Sequence, residues 1–272
     1  MPLFVGQVDN VKKVSNPLRS VHIKDKAVFS ITERGIRVVL EEYSSFQAIT
    51  FLQAEIFDTY EVSKSFEFGI SLNTLLECLN IFGTSGSIIS APALKVSYEG
   101  YGSPLVILLS EHGICTDCSI RTIDADFITD FDFCTEGIIN KIILKAEAMR
   151  ATLGDLDSSS DIIEIKMSPE LPQFRLSTYG AAGIYHIDYS KYSEAVESCQ
   201  NTQTRVQRYK FSFINATLKA LHVASKVSFR MNRRGFLSIH FLLENDGKFS
   251  FVEFLCCPED IENTADSDPA SN

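Results

Sequence analysis

No apolar run in the 272 residues approaches the roughly 18 needed for a membrane-spanning helix, so a helical membrane protein is excluded. Met1 to Val14 has no apolar core ahead of a small-residue cleavage site, so no secretory leader is expected and the protein is placed inside the cell. Basic residues are in deficit, 25 against 35 acidic, a net charge of −10. That balance excludes a chain that coats nucleic acid with its whole surface and leaves the location of its cations to decide. The seven cysteines are an odd number, which fits reduced thiols and not a disulfide framework; the sequon at Asn215 then carries no weight. There is no phosphate loop, nucleophile elbow or dinucleotide fingerprint, so the enzyme classes built on them are excluded.

What the chain does have is a diverged internal repeat. Phe66, Phe68 and Ile70 alternate and then give way to Leu72, Leu75, Leu76 and Leu79, a change from period two to period 3.6 that reads as strand followed by helix. Three apolar runs follow, Leu94 to Tyr98, Leu105 to Leu109 and Ile114 to Ile120, broken by Gly100-Tyr101-Gly102 and Glu111-His112-Gly113, as in a meander. The order returns from Tyr209: Tyr209, Phe211 and Phe213, then Leu218 and Leu221, then runs at Val227 to Met231, Phe236 to Leu243 and Phe249 to Leu255. Residue matches are few (Phe68 with Phe211, Thr74 with Thr217, Leu75 with Leu218), so the order of elements carries the argument. Each half reads as helix, short strands, a strand–helix pair and a three-stranded meander. The domains are expected at 1–121 and 136–258, with a connector at 122–135 and an acidic, disordered tail at 259–272.

Four helices are expected, at Asp9–His22, Ser71–Phe82, Glu136–Leu153 and Ile214–Lys226; together they carry +4, leaving −14 elsewhere. Pro17 interrupts the first and predicts a kink, or a restart capped by Ser15 or Asn16. Lys12 and Arg19, Lys141 and Lys145, and Lys219 and Lys226 are each spaced to share a helix face. Such stripes can follow a phosphate backbone, without sequence specificity and with steep salt dependence, or they can simply solvate helices. No aromatics interleave with them, so base stacking is not indicated.

Asp124, Asp126, Asp130 and Asp132 are the material for an enzyme, since paired carboxylates can hold two metal ions for phosphodiester cleavage. They lie among the aromatics of a connector expected to be flexible, where a solvated loop is the simpler reading. His112, Cys115 and Cys118 alternate faces along one strand with no fourth ligand nearby, so no metal is assigned. Phe127, Phe131 and Phe133 either form a docking edge or pack on their own domains.

The segments ISLNTLLECLNIFG (from Ile70), GYGSPL (from Gly100), DFDFC (from Asp130), INKIIL (from Ile139), MSP and FRLST (from Met167), RRGFLS (from Arg233) and VEFLCCP (from Val252) span nearly the whole chain in order. In them the sequence resembles the Rad-one subunits of the heterotrimeric DNA-damage checkpoint clamp, the nine-one-one clamp. The resemblance implies an α+β sliding-clamp fold: two similar domains, each with two inner helices and outer antiparallel sheets. It implies a non-enzymatic nuclear subunit with no cofactor. Two other clamp subunits, an ATP-dependent loader, double-stranded DNA and checkpoint and repair proteins would be its partners.

Under that resemblance Lys12, Lys13, Arg19, Lys141, Lys145, Arg150, Lys219 and Lys226 face DNA. Ile114, Cys118 and Ile120 on one strand, and Ile184, His186 and Asp188 within Ala182 to Asp188, form subunit edges. Phe46, Phe127, Phe131, Phe133, Phe254 and Pro258 border a client groove. A homotrimeric replication clamp and a metal-dependent DNA exonuclease stand as the alternatives.

Overall fold

The structure, a computed structural model, describes residues 2–82, 91–133, 137–181, 183–245 and 248–259. Cys134, Glu136, Ala182, the Asp246-Gly247 turn and the acidic tail beyond Glu259 lie outside the described residues. The first half runs β1 (Phe4–Val8), α1 (Lys12–Ser20), β2 (Lys26–Thr32), β3 (Gly35–Glu42), β4 (Phe46–Gln53), a 3-10 turn (Ala54–Ile56), β5 (Thr59–Val62), β6 (Phe66–Ser71), α2 (Leu72–Leu79), β7 (Ala93–Tyr98), β8 (Leu105–Glu111) and β9 (Ile114–Ile120). The second runs β10 (Ile138–Lys145), α3 (Ala146–Asp155), β11 (Ile162–Met167), β12 (Phe174–Gly180), β13 (Gly183–Tyr189), β14 (Val196–Asn201), β15 (Arg205–Lys210), α4 (Phe211–Ala216), α5 (Leu218–Val223), β16 (Ala224–Asn232), β17 (Leu237–Asn245) and β18 (Lys248–Cys256).

The same order of strands and helices therefore occurs twice, with α4 and α5 together in the place of α2, and so does the pairing. The first half gives sheet orders β5-β1-β7-β8-β9 and β4-β3-β2-β6, and the second gives β14-β10-β16-β17-β18 and β13-β12-β11-β15. One antiparallel junction, β18 against β4 with Phe251 opposite Phe51 and Cys256 opposite Phe46, fuses two of these into a nine-stranded sheet across the halves. This is the α+β sliding-clamp fold, with α1, α3 and α5 packed on one face of that sheet.

Several local expectations need correction. Residues 138–145 are a strand, not the start of a helix. Ile138, Ile142, Met149 and Leu153 suit a helix by spacing, but Asn140, Ile142 and Leu144 are buried alternately, and β-branched side chains favour the extended form between β14 and β16. Helix α3 begins only at Ala146 and buries Ala146, Met149, Thr152 and Leu153. Lys226 likewise lies in β16, beyond the extended Ala224 that ends α5. The helix expected after Tyr209 starts earlier, at Phe211, so Leu72 and not Phe68 is its counterpart: the order repeats, but the residue matches do not hold.

Pro17 sits inside α1, which continues to Ser20; neither Ser15 nor Asn16 caps it, and Val11 is the N-cap without a side-chain bond. Strands β1 and β14 add to the expected elements, β14 taking up part of the polar stretch 194–204. The Glu33-Arg34-Gly35 hairpin is present, and it requires glycine: at φ +144° a Cβ on Gly35 would lie 2.2 Å from the Leu52 carbonyl oxygen.

The junction is held by aromatic packing as well as by its ladder. Phe46 of β4 is fully buried and stacks on Phe213 of α4, with centroids 4.5 Å apart, and on Phe254 of β18 at 5.8 Å. Aromatic pairs at such spacing contribute beyond their buried area. Phe46→Ala should therefore cost about 3–5 kcal/mol of unfolding free energy in urea titration. A cost of under about 1 kcal/mol would mean that the two halves are held together elsewhere.

Candidate nucleic-acid interface and open sheet edges

The helices form one continuous layer, α2 touching α1, α1 touching α5 and α5 touching α3. Their side chains provide five cations, Lys12, Lys13, Arg19, Arg150 and Lys219, against Glu77, Glu147 and Asp155. Lys12 is exposed, whereas Lys13 is ion-paired with Asp9 at 2.5 Å. Arg19 donates to Asn80 Oδ1 (2.9 Å), Arg150 to the Leu221 carbonyl (2.8 Å) and Lys219 to the His22 carbonyl (3.0 Å), tying α1 to the end of α2, α3 to α5 and α5 to the end of α1. Where α1 meets α5, a cleft of about 570 Å³ is lined by Arg19, His22, Lys219 and His222. Burial, and then the Lys219 ammonium, hold His22 below the usual imidazole range, so it is neutral at pH 7. The layer is a surface of net positive charge with no aromatic platform, suited to phosphates and not to bases.

Three expected cations are not in this layer. Lys141 and Lys145 lie on β10 opposite Arg230 and Lys226 of β16. Their neighbours Ile142, Leu144 and Val227 take the core side, so Lys141 and Lys226 project from the face away from the helices. Lys226 is bonded there to Glu197 at 2.6 Å. A four-residue separation keeps two side chains on one face of a strand as well as of a helix, so spacing alone could not separate the cases.

Strands β9 and β13 each end a sheet with one side unpaired. Ile114 and Ile184 are each 63% exposed. Cys118 is half-buried, and Ile120 faces its own core at 5%, leaving only its backbone for an edge contact. On β13, His186 Nδ1 is 2.8 Å from Ser177 Oγ, and exposed Asp188 accepts two bonds from Arg175 at 2.6 and 2.8 Å. That guanidinium holds the Asp188 carboxyl below its ordinary range.

The described part of the connector is pinned and not a free loop. Ile123 bridges to Gly69, Asp126 pairs with Lys26 at 2.6 Å, and Gln47 Nε2 donates to the Thr129 carbonyl at 2.6 Å. Arg234 donates to the Phe131 carbonyl at 2.7 Å, and Phe131 packs edge-on to Phe236. The four aspartates are shared out along it: Asp124 is bonded by Tyr101, Asp126 by Lys26, Asp130 by the Asp132 N–H, and Asp132 lies 3.5 Å from Arg234. Among the described residues no three His, Cys, Asp or Glu side chains gather as metal ligands.

Of the residues expected at a groove, Phe127 is 89% exposed, while Phe133 and Pro258 are half-buried and Phe131 is buried. Phe46 and Phe254 are corrected: both are fully buried core residues of the junction and cannot border a groove. Alternation in their strands would have signalled this, because each faces the same side as buried Ala48 or Val252.

The family described as "Repair protein Rad1/Rec1/Rad17" matches residues 3–243. The human "Cell cycle checkpoint protein RAD1" is 43% identical over 259 residues, 94% of this chain and 92% of its own length. The Drosophila melanogaster "DNA repair protein Rad1" is 29% identical over 261 residues, 94% and 93% of the two chains. The "DNA repair exonuclease REC1" of Mycosarcoma maydis is 23% identical over 229 residues, 64% of this chain and 49% of its own.

Glu41 anchors the connector by accepting from the Thr129 hydroxyl and N–H at 2.7 and 2.8 Å and from Gln47 at 2.7 Å. Burial pushes its carboxyl up, but these bonds outweigh burial and hold it below its ordinary range. A lowered carboxylate stabilises the folded form above its unfolded value and ceases to do so as pH falls through the folded one. The Thr129 amide should therefore lose hydrogen-exchange protection below the carboxylate range, and at neutral pH in Glu41→Gln. Equal protection in the two proteins would show that the connector is anchored without Glu41.

Proposed function

Because the chain belongs to the Rad1/Rec1/Rad17 family of repair proteins, we propose that it is one subunit of a heterotrimeric ring clamp that encircles DNA at damage sites and presents checkpoint and repair proteins there. The observation that carries this reading is topological. Within the repeat, β9 holds the place of β18, and β13 holds the place of β4. Among the described residues the only strand junction between the halves is β18 on β4, so the edges at β9 and β13 are the counterparts of a joint the chain already makes once. A strand of one neighbour in the place of β13 would continue the pairing on β9, at Ile114, Cys118 and the Ile120 backbone, and a strand of the other neighbour in the place of β9 would continue it on β13, at Ile184, His186 and Asp188. Backbone pairing of this kind satisfies edge groups that are otherwise unpaired.

On this reading residues 1–121 and 136–258 are the two domains, joined by 122–135 and followed by the tail 259–272. The helix layer faces the duplex, with Lys12, Lys13, Arg19, Arg150 and Lys219 near phosphates. Retention is topological: an ATP-dependent loader opens the ring, and closure keeps it on DNA without tight or specific contacts. The site is nuclear, and the subunit performs no chemistry. The Mycosarcoma maydis relative's name favours a second reading, a DNA exonuclease using the connector aspartates.

The purified chain alone should scatter light as a single 30.4 kDa species, since edges built for different neighbours do not match each other; a mass of three chains would instead favour a homotrimeric replication clamp. In the assembled ring, Lys12→Glu, Arg19→Glu and Lys219→Glu together should weaken retention on DNA and flatten its salt dependence, by about 0.9 in log–log slope for each phosphate no longer neutralised. Retention unchanged by these reversals would overturn the helix layer as the DNA surface, and magnesium-dependent degradation of labelled DNA that Asp130→Ala with Asp132→Ala abolishes would favour the exonuclease.

A further inference from the structure

The face of the nine-stranded sheet away from the helices holds a cleft of about 250 Å³, apart from the helix layer and from the open edges β9 and β13. Three cross-strand rows build it. Lys141 lies beside Arg230; Ile143, Ser228 and His240 form the second row; Lys226, Leu242 and Phe251 form the third. Lys141 and Arg230 thus make one end of the cleft cationic; Ser228 lies in the middle row, the His240 ring stacks on Phe251 at 5.1 Å and 14°, and Lys226, ion-paired with Glu197, lies in the far row beside Leu242.

Its polar groups are incompletely matched. Lys141 has no carboxylate partner among the described residues. Arg230 gives Nη2 to Glu253 at 3.1 Å, but its Nε, like Ser228 Oγ, is buried with no hydrogen-bond partner among the described residues. A guanidinium N–H buried without an acceptor is costly. The field inside is positive: burial first, then Arg230, with Lys141 adding and only Glu253 opposing, lowers His240 to about 4. The imidazole is therefore neutral at pH 7; of the three cations, Lys226 is paired with Glu197 and Arg230 with Glu253, and Lys141 supplies the charge that no carboxylate among the described residues offsets.

We infer that this cleft binds a phosphorylated side chain of a peptide from a partner protein, with Lys141 and Arg230 on the phosphate, Lys226 at the rim, and Ile143, Leu242 and Phe251 holding an adjacent apolar residue. The cleft's size suits one phosphoester and its stem, and Ile143, Leu242 and Phe251 offer apolar surface that a nucleic-acid backbone would leave uncovered. The chain's own acidic tail starts elsewhere: the Glu259 N–H donates to the Arg208 carbonyl at 2.7 Å, and its carboxylate lies 3.7 Å from Lys210, both on β15 of a different sheet. The inference goes beyond the clamp reading, because it requires neither the ring nor DNA.

The test uses the full chain and a fluorescein-labelled peptide with one phosphoserine between leucine and phenylalanine. Its unphosphorylated twin, inorganic phosphate and a peptide copying residues 259–272 serve as comparisons. The phosphopeptide should bind about tenfold or more tightly than its twin, and Lys141→Glu should remove that preference, while Lys141→Gln weakens it less and both variants melt as the parent does. Millimolar inorganic phosphate should compete, but without the apolar flank it should do so more weakly than the phosphopeptide.

Equal binding of the twins, or a preference that survives Lys141→Glu, would overturn the site. So would stronger competition by the 259–272 peptide, which would make the tail its occupant, or by inorganic phosphate, which would make it a small-anion site. Arg19→Glu with Lys219→Glu should leave phosphopeptide binding unchanged, and Lys141→Glu should leave DNA retention of the ring unchanged. The two surfaces therefore fail separately; a defect in DNA retention alone in Lys141→Glu would give the cleft to nucleic acid.

Discussion

The pairing of β18 with β4 is the constraint on which the rest of this structure depends. Without it both strands would be open edges, as β9 and β13 are; with it, two edges are consumed and one sheet runs through the molecule. Backbone hydrogen bonds set the register, and the Phe46–Phe213–Phe254 stack keeps water from the joint. The helices of both halves then lie on one face of a shared sheet, so cations from distant parts of the sequence, such as Arg19 and Lys219, border a single cleft. A surface that neither half could make alone follows from one strand pair.

The same continuity separates two kinds of positive charge. Cations on the helices share their hydrogen bonds with neighbouring backbone carbonyls or Asn80 and present a spread potential on the helix side. On the other face, Lys141 and Arg230 sit side by side at one end of a small cleft that also has apolar side chains. Spread charge suits a polymer with a phosphate at every step, while converged charge beside an apolar wall suits one group on a short stem. The net charge of −10 conceals both.

Much of the fold is legible in the sequence because glycine turns and changes of apolar period mark element order, and that order occurs twice. The strand–helix–meander units and the strand at Ile114 to Ile120 can be read this way. What cannot be read is set by tertiary contact. Residues 138–145 satisfy helical and extended spacing together, and only their neighbours β14 and β16 decide; with them go Lys141 and Lys145. Lys226 is displaced because nothing in the sequence marks the end of α5 at Val223. The connector reads as flexible because its anchors, Glu41, Gln47, Lys26 and Arg234, are remote in sequence. Phe46 and Phe254 are assigned to a groove by the resemblance alone, although the alternation of their strands, with Ala48 and Val252 on the same side, already points to burial.

The free edges β9 and β13 differ from each other, as do the strands β18 and β4 whose places they hold. A joint between unlike edges is made head to tail, so every chain added through it points the same way round. Such a ring has a front and a back: the loops at one end of each sheet gather on one rim, and those at the other end on the opposite rim. A ring threaded on DNA would then carry a direction along the duplex, and a protein bound to one rim would meet the damaged end only in one of the two orientations of loading.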